Sequence, residues 1–244
     1  VATPDGGEQG LTGTAQAEAM RERMQDKSFK AWINLQLQRD KLTVTDLTTD
    51  FGDGIKLIKL VENISEETLG KYHKAPKSRI QMIENINLPI KYINGFVASI
   101  GIKNTYSAEN IIDQDKQFIL GMVWTLILRF SINECSEGDM TAKEGLLQWA
   151  KKKVAEGSNG TVDVTNFHTS WQNGMAFNAL INAFRPDLLN FESLKATNKL
   201  ENLNQAFDIG ESQLGIVKIL DAEDMVNMRP DEKSVMTYVS LFWK

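Results

Sequence analysis

The second half of this chain repeats the first, and that restricts its fold more than any other feature. Trp32 recurs as Trp149, Gly54 as Gly174 and Lys116 as Lys233, at offsets of about 117 to 120 residues. The surrounding frames agree as well. Phe29-x-x-Trp32 matches Leu146-x-x-Trp149, and Asp53-Gly54 followed by Ile55, Leu57 and Ile58 matches Asn173-Gly174 followed by Met175, Phe177 and Leu180. Solenoid repeats are far shorter, at about 20–50 residues, so a period of this length means duplicated domains.

Apolar spacing sets the class of those domains. Phe29, Trp32, Ile33 and Leu37 recur at intervals of three and four, as do Ile55, Ile58, Lys59 and Glu62 with Leu57 and Leu60 between them, which is helical periodicity. Strand-like alternation is nowhere sustained. Ile80, Ile83, Ile86, Ile90, Ile93 and Val97 predict a helix over 80–99 that stops at Gly101. Pro89 lies inside it; the missing amide and the ring's clash predict a kink or break over 85–89. Over 113–132, Phe118, Ile119, Met122, Val123, Leu126, Ile127 and Phe130 form one stripe flanked by Leu120, Trp124 and Leu128, as expected of the central helix of a bundle. Thr141 and Glu144 form a capping box that opens a new helix after the polar linker. The expected organisation is all-α: a partly disordered N-terminal extension over 1–26, a first helical domain over 27–133, a short linker over 134–140 and a second helical domain over 141–244. The arm over 1–13 is expected to be flexible.

Charge and composition exclude several function classes. The formal net charge is −5. Residues 1–133 hold 16 Lys+Arg and 16 Asp+Glu, while 134–244 hold 11 and 16, so the whole deficit lies in the second half. No basic field suited to nucleic acid is present. The longest apolar run, 118–128, is short of the roughly 20 residues that span a bilayer. One cysteine, Cys135, forms no intrachain disulfide and no cysteine-based zinc site, and two histidines, His73 and His168, are too few for a three-histidine metal centre. No metal or cofactor is expected, and a reducing cytosol is the natural setting. The sequons at Asn63 and Asn159 read as accidental. Asp113 and Asp115 read as charges at a helix N-terminus, because the glycine and distal glutamate of a calcium loop are missing. No Gly-x-Ser-x-Gly elbow accompanies His168, and Gly95 to Lys103 lacks the spacing of a phosphate loop. An enzyme is not expected. Trp32, Trp149 and Trp171 read as core.

Several motifs, in order, resemble the tandem calponin-homology actin-binding regions of the α-actinin, spectrin and filamin group, with an α-actinin-like or cortexillin-like flavour. They are Lys27-Ser-Phe-Lys-Ala-Trp-Ile33, Asp53-Gly54, Leu120-Gly-Met-Val-Trp-Thr-Leu-Ile-Leu-Arg-Phe130, Thr141-Ala-Lys-Glu-Gly-Leu-Leu-Gln-Trp149, Phe167-His-Thr-Ser-Trp171, Arg185-Pro-Asp-Leu188, Leu220-Asp-Ala-Glu-Asp224 and Pro230-Asp-Glu-Lys233. The resemblance implies two tandem calponin-homology domains and filamentous actin as partner, in the cytoplasmic actin cytoskeleton. It further implies a module of a larger cross-linking protein, the fragment a monomer and the parent a dimer. A tandem module redirected to microtubules or a signalling adaptor is the alternative.

Three actin-contacting segments follow from the resemblance. The first supplies Lys27, Phe29, Lys30 and Asn34. The second supplies Asn110, Asp113, Gln114, Lys116, Gln117, Gly121, Thr125 and Arg129, and the third supplies Lys143 and Lys151. The first half, neutral overall over 1–133, is expected to anchor binding to an acidic filament while the acidic second half assists. A phosphoinositide site is also implied. Asn182, Ala183 and Phe184 occupy the stretch where the family often carries cations, leaving Arg185 with Lys151, Lys152 and Lys153 to hold a headgroup; a solvated cluster at a helix C-terminus is the other reading. Finally, the resemblance implies a cation–π latch between the domains made by Trp124 and Lys218; the alternative places Trp124 wholly inside its own domain and Lys218 in solvent.

Overall fold

The structure is a computed structural model that describes residues 13–135 and 140–243. Among the described residues the fold is built of ten α-helices, with short 3₁₀ segments in several of the connections and no strand. In the first half α1 spans Gly13–Leu37, α2 Ile55–Ser65, α3 Arg79–Phe96, α4 Ala108–Ile112 and α5 Lys116–Ile127. In the second, α6 spans Ala142–Gly157, α7 Met175–Phe184, α8 Lys199–Leu214, α9 Ala222–Asn227 and α10 Glu232–Ser240.

Helix α1 starts well before the expected 27. Its buried side chains are Met24, Ser28, Phe29, Trp32, Ile33 and Leu37, so residues 13–23 contribute none. That first stretch is rich in Ala, Glu, Gln and Arg, which favour helix without supplying an apolar period, so periodicity does not reveal it. Except for Gly13, the expected flexible arm lies outside the described residues, as do residues 136–139 of the expected linker.

Helix α3 runs unbroken through Pro89. The expected break is absent: Ile86, Pro89, Ile90 and Ile93 are all buried, and packing on both sides of the proline holds the helix together. Ser78 caps its start by accepting the amide of Gln81, and Gly101, at φ 74, ends the following 3₁₀ turn. Ile80, expected on the apolar stripe, is 70% exposed. At its start α5 is capped by Asp115, and the chain continues from its end as a π turn over Leu128–Ile132. The helical run Lys116–Cys135 is long and apolar enough to cross a bilayer, yet Ile119, Met122, Val123, Leu126, Ile127 and Ile132 are buried within the protein. It is a core helix.

The repeat has a structural reason at Gly54 and Gly174. Each precedes a helix in the left-handed region, at φ 79 and φ 74, and each faces an asparagine. Asn85 donates to the carbonyls of Asp53 and His73, at 2.9 Å each, and accepts the His73 amide. Asn202 donates to the carbonyls of Asn173 and Lys195, at 3.0 and 2.9 Å. A Cβ on either glycine would lie under 3 Å from backbone on the partner helix. Glycine thus serves both the turn and the close approach. The repeated tryptophans diverge: Trp32 is buried and donates to Ser131 Oγ at 3.1 Å, whereas Trp149 is half-exposed and packs edge-on against Trp243. For Trp149, the core reading is corrected to a rim position.

Asp50 organises the loop before α2. Its carboxylate accepts the amides of Thr45 and Asp46 at 2.6 and 3.0 Å and pairs with Lys56 at 2.5 Å. Burial pushes this carboxyl up, but the amides and Lys56 outweigh that and bring it down to about 2. A carboxyl held below its unfolded value, about 3.9, contributes stability that is complete above pH 4 and fades as the pH falls toward 2. Denaturant titrations should therefore show wild type more stable than Asp50→Asn at pH 7, with the gap narrowing steadily between pH 4 and 2. A gap independent of pH would rule out this role.

Candidate functional site

Of the residues expected to meet a partner, Lys27, Gln117 and Gly121 lie at the contact between the two halves, and the rest lie within one half or the other. Along that contact runs a buried polar chain. Gln25 on α1 donates to Asp231 at 2.9 Å, Ser28 donates to Ser234 at 2.9 Å, and Ser234 donates both its amide and its hydroxyl to Asp231. Asp231 is only 4% exposed and also caps α10, so both of its buried carboxylate oxygens have a donor.

Lys27 closes the rim. Its Nζ lies 2.6 Å from Asp224 and 3.6 Å from Asp221, with Arg23 3.9 Å from Asp224. Burial pushes the Asp221 carboxyl up, but the amides of Asp224 and Glu223 and the neighbouring Lys27 hold it below the ordinary carboxylate range. The cation over Trp124 is Lys233, 5.5 Å from the ring centroid. Lys218 lies 3.6 Å from Asp208 instead, so the expected Trp124–Lys218 latch is corrected to Trp124–Lys233. The cause is α10: its buried face packs against α1 and carries Lys233, at its first turn, onto the flank of α5.

The remaining expected contacts divide by burial. Phe29 is fully buried and stacked on Trp124, and Thr125 is fully buried and bonded to Tyr106 at 2.6 Å, so neither is on a surface. Both sit on the apolar side of an amphipathic helix, where core packing claims them. Asn34 is committed to both the amide and the carbonyl of Val44, and Asn110 accepts the Ser107 hydroxyl. Lys30 pairs with Asp26 at 2.6 Å, Lys116 with Glu22 at 3.0 Å, and Asp113 with Arg79 at 3.1 Å. Gln114 is exposed at φ 59 in the turn before α5. Gln117 and Gly121 line a small cleft of about 260 Å³ shared with Glu18, Gln25 and Lys233. Arg129 lies against the rings of Phe96 and Phe130, at 5.9 and 5.3 Å.

In the second half Lys143 pairs with Glu232 at 2.7 Å and Lys151 with Asp163 at 3.3 Å. Lys153 pairs with Glu156 and lies over Phe184, while Arg185 binds Asp187 through two hydrogen bonds of 2.8 and 2.7 Å. Among the four cations expected to hold a headgroup, three have a carboxylate. His168 accepts the Thr169 amide at Nδ1, and its Nε2 is 3.0 Å from Arg229; burial and that guanidinium both push its pKa down. Among the described residues, no group of three His, Cys, Asp or Glu side chains is placed to hold a metal.

The family model for the calponin homology (CH) domain matches twice, over residues 23–132 and 140–244. This chain belongs to the calponin-homology family. Its two calponin-homology domains are 45% identical over 224 residues to alpha-actinin-4 of Homo sapiens, which covers 91% of this chain. Identity to alpha-actinin A of Dictyostelium discoideum is 47% over 221 residues and 90% of the chain. The chain spans about a quarter of the length of these relatives, 24% and 25% respectively. Among solved structures, the actin-crosslinking core of Schizosaccharomyces pombe fimbrin superposes with a TM-score of 0.69 at 22% identity, over 90% of this chain and 49% of that one. That likeness supports the tandem calponin-homology fold.

Proposed function

We propose that this chain is an actin-filament-binding module of a larger cytoskeletal cross-linking protein, working in the cytoplasm and binding mainly through its first domain. The observation that carries this reading is the extent of the likeness to the alpha-actinins, which runs through both domains at 45–47% identity. A cross-linking role requires two such modules in one assembly, so the parent would be a dimer and the isolated module a monomer. The domains act as a binding surface rather than an enzyme. A phosphoinositide headgroup at Lys151, Lys152, Lys153 and Arg185 would compete with Asp163, Glu156 and Asp187 for three of its four cations. No observation favours microtubules or a signalling adaptor.

Closure of the domains regulates access in this reading. Lys27 is spent on Asp224, Trp124 lies under Lys233, and Gln117 and Gly121 line the shared cleft, so parts of two expected contact segments face the second domain. The whole chain should pellet with actin filaments and not with microtubules, and its binding should fall several-fold as salt rises from about 0.05 to 0.2 M, because exposed charges are screened. Lys116→Glu should weaken pelleting about tenfold and Lys143→Glu less than threefold. A chain that stays in the supernatant with filaments, or one for which Lys143→Glu is the more damaging change, overturns the proposal.

A further inference from the structure

Residues 68–83, which run from the loop after α2 into α3, carry Lys71, Lys74, Lys77 and Arg79 and no carboxylate. The duplication supplies an internal comparison. At the offset of 117 that relates Asn85 to Asn202, the matching stretch 185–200 sets Asp187 and Glu192 against Arg185, Lys195 and Lys199. Helix α3 also begins six residues before Asn85, whereas α8 begins three before Asn202, so residues 79–81 have no helical counterpart in the second domain. Neither the basic run nor the added turn is demanded by the fold that the two halves share.

The added turn presents an apolar side chain to solvent. Ile80 is 70% exposed, the most exposed large apolar side chain among the described residues. Lys71, Lys74, Lys77 and Arg79 are exposed around it in the chain. His73 lies 2.8 Å from Glu84 and Arg79 3.1 Å from Asp113, but Lys71, Lys74 and Lys77 form no ion pair among the described residues. The edge is held in shape by its backbone: the Lys77 amide donates to Gln81 Oε1 at 2.7 Å, and the Gln81 amide donates to Ser78 Oγ at 3.3 Å.

The residue types select the partner. Arginine's planar fork suits paired recognition of a protein carboxylate, and the one arginine of this edge is already turned to Asp113. The free cations are lysines, flexible point charges that suit a diffuse negative surface. A protruding aliphatic side chain among them can enter the boundary between headgroups and acyl chains while the lysines stay with the headgroups.

We propose that the edge formed by Lys71, Lys74, Lys77 and Ile80 is a docking surface for an anionic lipid bilayer, with Ile80 inserted and the three lysines on the headgroups. It stands independently of the actin-binding reading and lies in the other domain from the cluster of Lys151, Lys152, Lys153 and Arg185.

Flotation of the full chain tests it, with phosphatidylcholine vesicles that either contain about 30% phosphatidylserine or lack it, in about 0.05 M salt. Wild type should partition at least about twentyfold better onto the phosphatidylserine vesicles. Each lysine near such a surface contributes about fivefold, so Lys74→Glu combined with Lys77→Glu should remove most of that preference. Ile80→Ser should weaken partition about fivefold. These side chains are exposed, so both variants should melt within a few degrees of wild type. Lys195→Glu combined with Lys199→Glu, in the matching stretch of the second domain, should change partition by less than about threefold, because their stretch carries carboxylates and no exposed equivalent of Ile80. Equal partition of wild type onto both kinds of vesicle overturns the proposal, as does a loss from the second-domain pair as large as that from Lys74 and Lys77. If the Lys74 and Lys77 changes weaken pelleting with filaments and leave vesicle binding intact, the edge belongs to a protein surface and the proposal falls.

Discussion

Gly157→Ala should lower the midpoint of thermal unfolding by about 10 °C or more. Gly157 ends α6 where that helix crosses α7, and a Cβ there would lie 1.8 Å from the Ala179 carbonyl oxygen and 2.8 Å from the Ala183 amide nitrogen. Both obstacles are backbone, so no rotamer change relieves the clash and the helices must part. Parting them also strains the bond from Asn182 Nδ2 to the Gly157 carbonyl, now 2.8 Å. Overpacking costs about 1–3 kcal/mol where side chains can yield, and a backbone clash belongs at or above the top of that range. For a domain of about 100 residues, each kcal/mol shifts the midpoint by about 4–8 °C. Gly121→Ala is the control. It lies in the middle of α5, its Cβ would meet nothing within 4 Å, and alanine's better helix propensity should leave stability unchanged or raised by up to about 1 kcal/mol. A Gly157→Ala protein melting within 3 °C of wild type would contradict the close approach of α6 and α7.

Asp224→Lys should open the two domains and tighten filament binding. The Lys27–Asp224 pair at 2.6 Å is partly buried, with Asp224 13% exposed and Lys27 38%. Reversing one charge turns attraction into repulsion without altering the first domain. A partly desolvated pair of this kind is worth about 1–2 kcal/mol, between the exposed and buried limits, which is roughly a five- to thirtyfold shift in the balance of closed and open forms. Small-angle scattering should report a larger radius of gyration, and actin affinity should rise by up to the same factor. Lys27→Glu breaks the same pair from the other side. It should open the molecule equally but weaken binding, because the resemblance assigns Lys27 itself to the filament surface. Equal tightening by both variants would remove Lys27 from that surface, and an unchanged radius for both would show that this pair does not hold the domains together.

Much of the fold was legible in the sequence because amphipathic spacing records which face of a helix is dry. The stripe from Ile119 to Ile127 is buried as its period demands, and the capping box of Thr141 and Glu144 forms with both reciprocal bonds. Offsets shared by Trp32, Gly54 and Lys116 with their later copies announced two domains. Even the Asn85–Asn202 pair, which the apolar reading passed over, had a signal in its own offset of about 117 and in its position beside the buried Ile86 and Leu203.

Where the domains meet was another matter. Periodicity does not say whether the neighbour covering a face comes from the same domain or the other one. Phe29 beside Lys27 and Lys30 reads equally as contact or core until Trp124 is found stacked on it. Lys218 and Lys233 are both lysines of the second domain within reach of a guess, and only the docking of α10 against α1 decides that Lys233 covers Trp124. Most of the helices, their duplication and the family to which they belong follow from local spacing and order along the chain, whereas the early start of α1 and the continuity of α3 through Pro89 do not. Which cations are already paired and which rings are covered is settled only by the packing, because each depends on distances between residues that lie up to about 200 positions apart in the chain.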